Sequence, residues 1–345
     1  MKKRILALCL LISLCLPLLA SCSQEKKQTA ETFEYFNTYS TLTVYCGKEE
    51  FSLYREEFLS TLKQYHQLFD IYNSYDGATN LKDVNERAPL SAVKISSELF
   101  DALTLGKDIH SLTSGKCNIA LGTVTSIWHD IREAAQNAPE NIIFPTQEVI
   151  DDALLHTDIN ALELDRENLT VRFSDERLSL DFGAIAKGYV TSLLCDKLIA
   201  LGCKSFLINL GGNVASYGKK PKNATWSALV KNPFEDNSLG YNEIIYLNSE
   251  TLVTSGSYQR FFIYDNKRYS HIIDSDSGYP AERFESVSVQ AHYSSSALAD
   301  ALSTALFCMS YEEGCSLVSS LDGVSALWIF NDGSYKTSEG FGGTK

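Results

Sequence analysis

"FLINLGGNVASYG", residues 206 to 218, delivers an apolar strand into Gly211 and Gly212. Two readings of the paired glycine stay open: it lets backbone come close to a ligand, or it makes a hairpin turn or bulge. A third is closed, because no further glycine opens a following helix as a Rossmann dinucleotide fingerprint requires. Strand-like runs lie on both sides, at "TLTVYCG" (41–47), "LTVRF" (169–173), "WSALV" (226–230), "EIIYL" (243–247), "RFFIY" (260–264), "SVSVQA" (286–291) and "SALWIF" (325–330). They outnumber the helical segments and often follow one another directly. The expected fold is therefore α+β, a largely antiparallel sheet with packed helices, rather than a doubly wound sheet. Among the helices, "EEFLSTLKQYHQLFDIY" (56–72) brings Phe58, Leu62, Tyr65, Leu68, Phe69 and Tyr72 near helical spacing.

The N-terminus reads differently from the body. Lys2, Lys3 and Arg4 precede an apolar run from Ile5 to Ala20, too short for a stable membrane span, so residues 1–21 are expected to be a signal peptide. "LASC" (19–22) resembles the lipobox at which Cys22 would be lipidated and become the new N-terminus. Residues 22–31 are then a polar tether, and residues 32–345 one body held at the extracytoplasmic face of the cell membrane. Removing the leader takes three positive charges from a net charge of −13, leaving about −16, which argues against nucleic-acid binding. Six cysteines remain in the body, without the spacing of a zinc site or a disulfide scaffold; buried thiols are expected, with Cys308–Cys315 as the alternative bridge.

Three segments carry chemistry. In "LSLDFGAIAKGYVTSLLCDKLIALG" (178–202) a short strand ends at Asp181, a turn follows, and a helix starts with Lys187 in its first turn. A cation there opposes the helix dipole, so it either points into water or answers an anion drawn to the helix start. In "SSSALADALSTALF" (294–307) Asp300, Ser303 and Thr304 share one wedge with Ser296, while alanines and leucines cover the rest of the helix. A buried carboxylate asks for a cation, either Mg²⁺, which suits hard oxygen donors, or a salt-bridge partner. "YSHIIDSDSGYP" (269–280) packs His271 and Asp274 into a turn that needs neither.

Taken in order and spacing, "DFGAIAKGY", "NLGGN", "TSGSYQR", "YSHIIDSDSGYP" and "DALSTALF" resemble the FAD:protein FMN transferases, the ApbE family. The resemblance spans the body from "FNTYSTLTV" onward and implies an α+β fold with FAD in a deep cleft. It implies Mg²⁺ ligands at the backbone carbonyl of Ala184 and at Asp300 and Thr304, with Ser303 adjoining. It also implies FAD contacts at Phe36, Thr38, Tyr72, Asn85, Asn118, Asp181, Lys187, Gly211, Gly212, Ser255, Tyr258, His271 and Ile272. The chain departs from the family pattern at Asn118, where an aspartate is usual, and at Ser275, Asp276 and Ser277, which replace a Pro, a basic residue and a Thr.

The activity implied is Mg²⁺-dependent transfer of FMN from FAD to a Ser or Thr hydroxyl of an acceptor flavoprotein, with release of AMP. His271 is expected to orient or deprotonate that hydroxyl or to bind FAD, against a packed structural histidine. Asp274 is expected to orient His271 or approach the metal. Acceptors of the membrane respiratory kind (Nqr- or Rnf-type subunits) fit the exported location. With water as nucleophile the same cleft would be a FAD pyrophosphatase, and without catalysis the protein would be a flavin-binding lipoprotein. Protein-bound FMN, free FMN or unchanged FAD distinguishes the three.

Overall fold

Gly211 and Gly212 have φ of +58° and +97°, left-handed values that glycine alone takes freely. In this computed structural model, which describes residues 26–137, 142–234 and 243–342, they are the central residues of a tight hairpin, with Leu210 paired to Asn213 across the turn. Positive φ at both positions gives the turn whose twist matches its flanking strands. The hairpin sits inside an eight-stranded sheet made of β1 (Lys26–Thr32), β2 (Ser40–Cys46), β3 (Phe206–Leu210), β4 (Asn213–Tyr217), β5 (Glu250–Gly256), β6 (Phe284–His292), β7 (Ser325–Phe330) and β8 (Tyr335–Thr337). Every neighbouring pair is antiparallel, and the order across the sheet is the order along the chain. The α+β expectation holds, as a meander with insertions.

Six helices lie in the β2–β3 insertion: α1 (Lys48–Leu68), α2 (Leu81–Arg87), α3 (Ser97–Leu112), α4 (Gly122–Asn137), α5 (Gln147–Leu154) and α6 (Ala186–Ala200). Two more, α7 (Ser296–Cys308) and α8 (Tyr311–Ser319), follow β6. The main core forms where α6 and α7 pack together and α7 lies on β5 and β6, with Val190, Leu194, Leu302, Leu306, Val287, Val289 and Trp328 buried. On the opposite face a two-stranded ribbon, Trp226–Leu229 with Ile244–Leu247, brings Trp226, Ile245 and Leu247 onto Leu252, Leu327 and Ile329. β7 is thus covered on both sides, which is why it reads as a continuous apolar run. A third cluster joins Trp128 of α4 to Phe262 and Ile273, beside the hairpin Phe261–Tyr264 with Lys267–Ser270.

The structure corrects several local expectations. Residues 26–31 are not tether but most of edge strand β1, held by pairing to β2 with only Ala30 and Thr32 buried. An edge strand with one wet face needs no apolar alternation, and its lysines suit an edge. Helix α1 stops at Leu68, leaving Phe69 as its cap and Tyr72 beyond it, 57% exposed. No strand leads to Asp181; Ser179 makes a single parallel bridge to Leu121. The thiol expectation, by contrast, holds: Cys308 is a buried free thiol and Cys315 a half-buried one, and the six body cysteines form no disulfide among the described residues. The leader and Cys22 lie outside the described residues.

Candidate active site

The insertions and the inner strands β2–β5 enclose a cleft of about 1580 Å³, larger than the few hundred to about 1,000 Å³ of ordinary small-molecule sites. Phe36, Thr38, Tyr72, Asn85, Asn118, Asp181, Ala184, Lys187, Gly211, Gly212, Tyr258, His271, Ile272 and Thr304 all line it. Segments far apart in sequence meet here because the meander returns each insertion to the same region. Gly211 bears out the hairpin reading of the paired glycine. It turns the hairpin, and a Cβ at its position would lie 2.2 Å from Thr38 Oγ1, so the close approach is to the loop before β2. That loop is itself bent, with Phe36 and Asn37 at φ of +56° and +48°, and the Phe36 N–H donates to His66 Nδ1 at 3.4 Å.

Asp300 is not among the lining residues; it lies on the buried side of α7, 4% exposed. Its Oδ2 accepts the Gly188 N–H at 2.7 Å, and its Oδ1 is 4.0 Å from Lys187 Nζ. The first turn of α6 therefore meets the carboxylate with both an N–H and a cation, which answers why a lysine stands at that helix start. These partners do not balance the burial. Desolvation pushes the Asp300 carboxyl pKa up, against the lowering pull of Lys187 and Gly188. The Asn213 amide lies nearby and also favours the charged form, yet its Nδ2 reaches no acceptor at hydrogen-bond geometry. Ser303 is satisfied within the protein, donating to the Asp300 carbonyl at 2.8 Å and lying 2.7 Å from Ser255 Oγ. Thr304 Oγ1, 3.4 Å from Ser255 Oγ, is the hydroxyl of the wedge that lines the cleft. Ser255 thus supports the wedge from β5 and is not itself among the lining residues.

His271 is held by its neighbour in space, not by the aspartate in its own segment. Its Nδ1 lies 3.1 Å from the Arg260 carbonyl. A carbonyl only accepts, so Nδ1 carries the proton and Nε2 is the acceptor. Enclosure in the cleft, together with Arg260 and Lys187, pushes the imidazolium pKa down to about 3, so the ring is neutral at physiological pH. Asp274, expected to orient His271 or approach a metal, makes no hydrogen bond to the ring and is not among the lining residues. Its carboxylate takes Lys116 Nζ at 3.2 Å and the Asp276 N–H at 3.1 Å. Asp276 meets the same lysine at 2.6 Å. The acidic residue that departs from the family pattern is therefore neutralised by a base from another segment. Trp128 Nε1, donating to the Gly278 carbonyl at 2.7 Å, fixes the turn against α4.

Two expected contact residues spend their side chains on the protein. Asn85 clasps Leu180, its Nδ2 donating to the Leu180 carbonyl at 2.9 Å and its Oδ1 accepting the Leu180 N–H at 2.8 Å. Asn118 likewise bonds the Thr157 carbonyl and the Ala120 N–H, both at 2.9 Å. Each shapes the wall rather than offering a free amide. Asp181 accepts from Gly183 N–H at 2.8 Å and Thr125 Oγ1 at 3.0 Å. Tyr72 stacks obliquely on His129, ring centres 5.1 Å apart, and burial with Asp181 nearby lifts its phenol pKa to about 12. Motif reading did not single out His129, Arg132 and Arg260, which also line the cleft. Arg260 stands inside the quoted "TSGSYQR", whereas His129 and Arg132 lie in none of the quoted motifs.

Among the described residues no three His, Cys, Asp or Glu side chains gather as a metal cage. The donors that the resemblance implies are one under-compensated buried carboxylate, one hydroxyl and the carbonyl of Ala184, of which Ala184 and Thr304 line the cleft. That composition fits Mg²⁺, which takes one or two carboxylates and fills its remaining positions with water and substrate phosphates.

Comparison with known proteins identifies the family. A sequence model described as the ApbE family matches residues 36–328. A Treponema pallidum protein named FAD:protein FMN transferase is 31% identical over 297 residues, covering 81% of this chain and 78% of its own length. A Klebsiella pneumoniae protein of the same name is 29% identical over 274 residues, 78% of this chain and 79% of the relative. The crystal structure of the ApbE protein from Thermotoga maritima superposes with a TM-score of 0.80 at 27% identity, covering 92% of this chain and 98% of that one. The chain belongs to the ApbE family.

Proposed function

We propose that this protein transfers FMN from FAD to a Ser or Thr hydroxyl of an acceptor flavoprotein, releasing AMP. The observation that carries the reading is the convergence on one cleft of Lys187, His271 and Thr304, with buried Asp300 behind them. The cleft has room for a dinucleotide and for the approach of a polypeptide hydroxyl. Asp300, Thr304 and the Ala184 carbonyl would hold Mg²⁺, which when bound neutralises diphosphate charge and stabilises the departing phosphate oxygen.

The residues of the chain supply the remaining functions. Lys187 and the N-terminus of α6 offer positive charge to an anionic ligand in a protein of net charge −13. His271 Nε2, unprotonated and fixed through Nδ1, accepts a hydrogen bond from the incoming hydroxyl and orients it, and the hydroxyl proton ends on the departing AMP phosphate. The hydroxyl oxygen then bonds the FMN-side phosphorus as the bond to the AMP oxygen breaks, leaving FMN in a phosphoester. Asn85 and Asn118 keep the walls in register for that in-line approach. Outside the cleft, the lipobox-like "LASC" supports anchoring through Cys22 at the extracytoplasmic face, where Nqr- or Rnf-type acceptor domains would be met.

The test is intact-mass measurement of a candidate acceptor domain after incubation with the protein, FAD and Mg²⁺. A gain of one FMN, lost when the acceptor Ser or Thr is changed to Ala, supports transfer. Equal release of AMP and free FMN with or without several acceptors, and no mass gain, overturns it in favour of FAD hydrolysis.

A further inference from the structure

Two arginines face the cleft without an acidic partner. Arg132 projects from α4 and Arg260 follows β5, and both line the same cavity. The arginines found in ion pairs among the described residues are Arg166, Arg177 and Arg268. Arg132 Nη2 lies 2.8 Å from His129 Nδ1. Arg260 Nη2 donates to the Asn37 carbonyl at 3.1 Å. A guanidinium has five N–H donors, so each of these uses one and leaves most of its fork to the cleft.

The carboxylates of the same wall are committed elsewhere or lie beyond ion-pair reach. Asp70 takes the Tyr72 and Asn73 N–H groups and the Tyr75 hydroxyl. Asp181 takes Gly183 and Thr125, and Glu86 takes Lys82. Asp130 and Glu133 line the cleft as well, and the ion pairs among the described residues join neither of them to either arginine. The two guanidiniums are close enough to oppose each other. After burial itself, Arg132 is the main influence lowering the Arg260 pKa, and both arginines, with Lys187, disfavour a charged His271. Like charges gathered in a cleft of an acidic protein cost free energy unless an anion joins them.

We propose that Arg132 and Arg260, with the Tyr72–His129 ring pair between the same walls, form a receiving site for an anionic oxygen group, a phosphate of the flavin nucleotide or a carboxylate of the acceptor polypeptide. The planar forks suit bidentate capture of either group. Neither arginine makes a hydrogen bond or ion pair to Asp300, Thr304 or Lys187 among the described residues, although both arginines and Lys187 bear on His271. The site rests on the FAD reading only for the choice of the first probe.

Equilibrium binding of FAD and of riboflavin, which lacks phosphate, is measured by flavin fluorescence in the whole protein for wild type, Arg132→Gln, Arg260→Gln and Arg260→Lys. Loss of one charge-assisted contact should weaken FAD binding by about tenfold to a hundredfold and leave riboflavin unchanged. That result assigns the site to phosphate, with Arg260→Lys recovering part of the loss. If FAD binding is unaltered, a synthetic peptide rich in Asp and Glu is titrated onto the FAD-loaded protein. Weaker peptide binding in the Gln variants assigns the site to carboxylate. Unchanged binding of both probes overturns the inference. Equal loss of FAD and riboflavin also overturns it, since that marks a distorted Asn37 loop. None of these measurements needs turnover, so failure of FMN transfer and failure of this site are told apart.

Discussion

Gly188 is the point at which α6 touches α7, and replacing it by alanine tests whether that contact aims Asp300. A Cβ at Gly188 would lie 2.4 Å from Asp300 Cβ and 2.4 Å from the Ser296 carbonyl oxygen. Ordinary carbon contacts are about 3.5–4.0 Å, so the helices must separate by roughly 1 Å. At an unhindered helix position Gly→Ala stabilises by about 0.5–1 kcal/mol. Overpacking a closed core costs about 1–3 kcal/mol. The steric term wins, and Gly188→Ala should lower stability by about 1–2 kcal/mol. Separation also lengthens the 2.7 Å bond from Gly188 N–H to Asp300, removing a partner from a carboxylate that burial already disfavours. Urea unfolding of the ligand-free protein reads the first effect, and FAD turnover at saturating and limiting Mg²⁺ reads the second. The expected signature is a lower midpoint together with a raised Mg²⁺ requirement. An unchanged or higher midpoint with unchanged Mg²⁺ dependence would refute the reasoning that this contact positions Asp300.

Asp300→Asn should abolish Mg²⁺-dependent FAD turnover while leaving the metal-free urea midpoint equal or higher, because a neutral amide escapes the burial penalty; retained turnover at limiting Mg²⁺ would contradict the assignment. The folded pKa of His271 lies near 3, below its unfolded value of about 6.5, so the unfolded chain binds the proton first. Stability of the ligand-free protein should fall as pH drops from about 6.5 toward 3, with up to about 1.4 kcal/mol per pH unit from this group, and His271→Asn should flatten that slope in pH-dependent urea melts. Lys116→Ala leaves Asp274 and Asp276 facing each other without their cation, and should cost about 1–3 kcal/mol; adding Asp274→Asn and Asp276→Asn should restore much of it in thermal melts. Cys22→Ser should move the protein from the membrane pellet to the soluble extracytoplasmic fraction with its FAD chemistry intact; persistent pelleting would point to another anchor.

What could be read in advance was whatever a short-range pattern encodes. The polar wedge of α7 stood out because a single charge broke an otherwise apolar circumference, and burial of that helix follows the count. The Gly211–Gly212 turn was legible as geometry that side chains disfavour. Strand β1 was not, since main-chain pairing at an edge leaves no mark in a run such as "KKQTAET". Partner choice was the least legible property. Asp274 is three residues from His271 yet pairs with Lys116, 158 positions away, while the ring of His271 rests on a backbone carbonyl that any residue could supply. The double duty of Asn85 was hidden for the same reason, because its partner is main chain at Leu180. Site residues could be named from local motifs, but their roles depended on contacts that the meander creates.

The collinear order of the sheet also sets a schedule for the growing chain. Strand β2 pairs on its inner edge with β3, and the β2–β3 connection runs from Gly47 to Ser205. A chain emerging from its N-terminus therefore presents the β1–β2 hairpin with an open inner edge until more than 150 further residues have followed. From β3 onward each strand finds its predecessor already in place, so the sheet can zip in one direction from residue 206 to residue 337. Closing the long β2–β3 loop carries an entropic cost that grows only as the logarithm of its length. The exposed edge in that interval is β2, whose alternating Leu42, Val44 and Cys46 would attract any other strand. Translation order thus makes the early hairpin the part of this protein most in need of a chaperone, although in the finished molecule β2 is an interior strand.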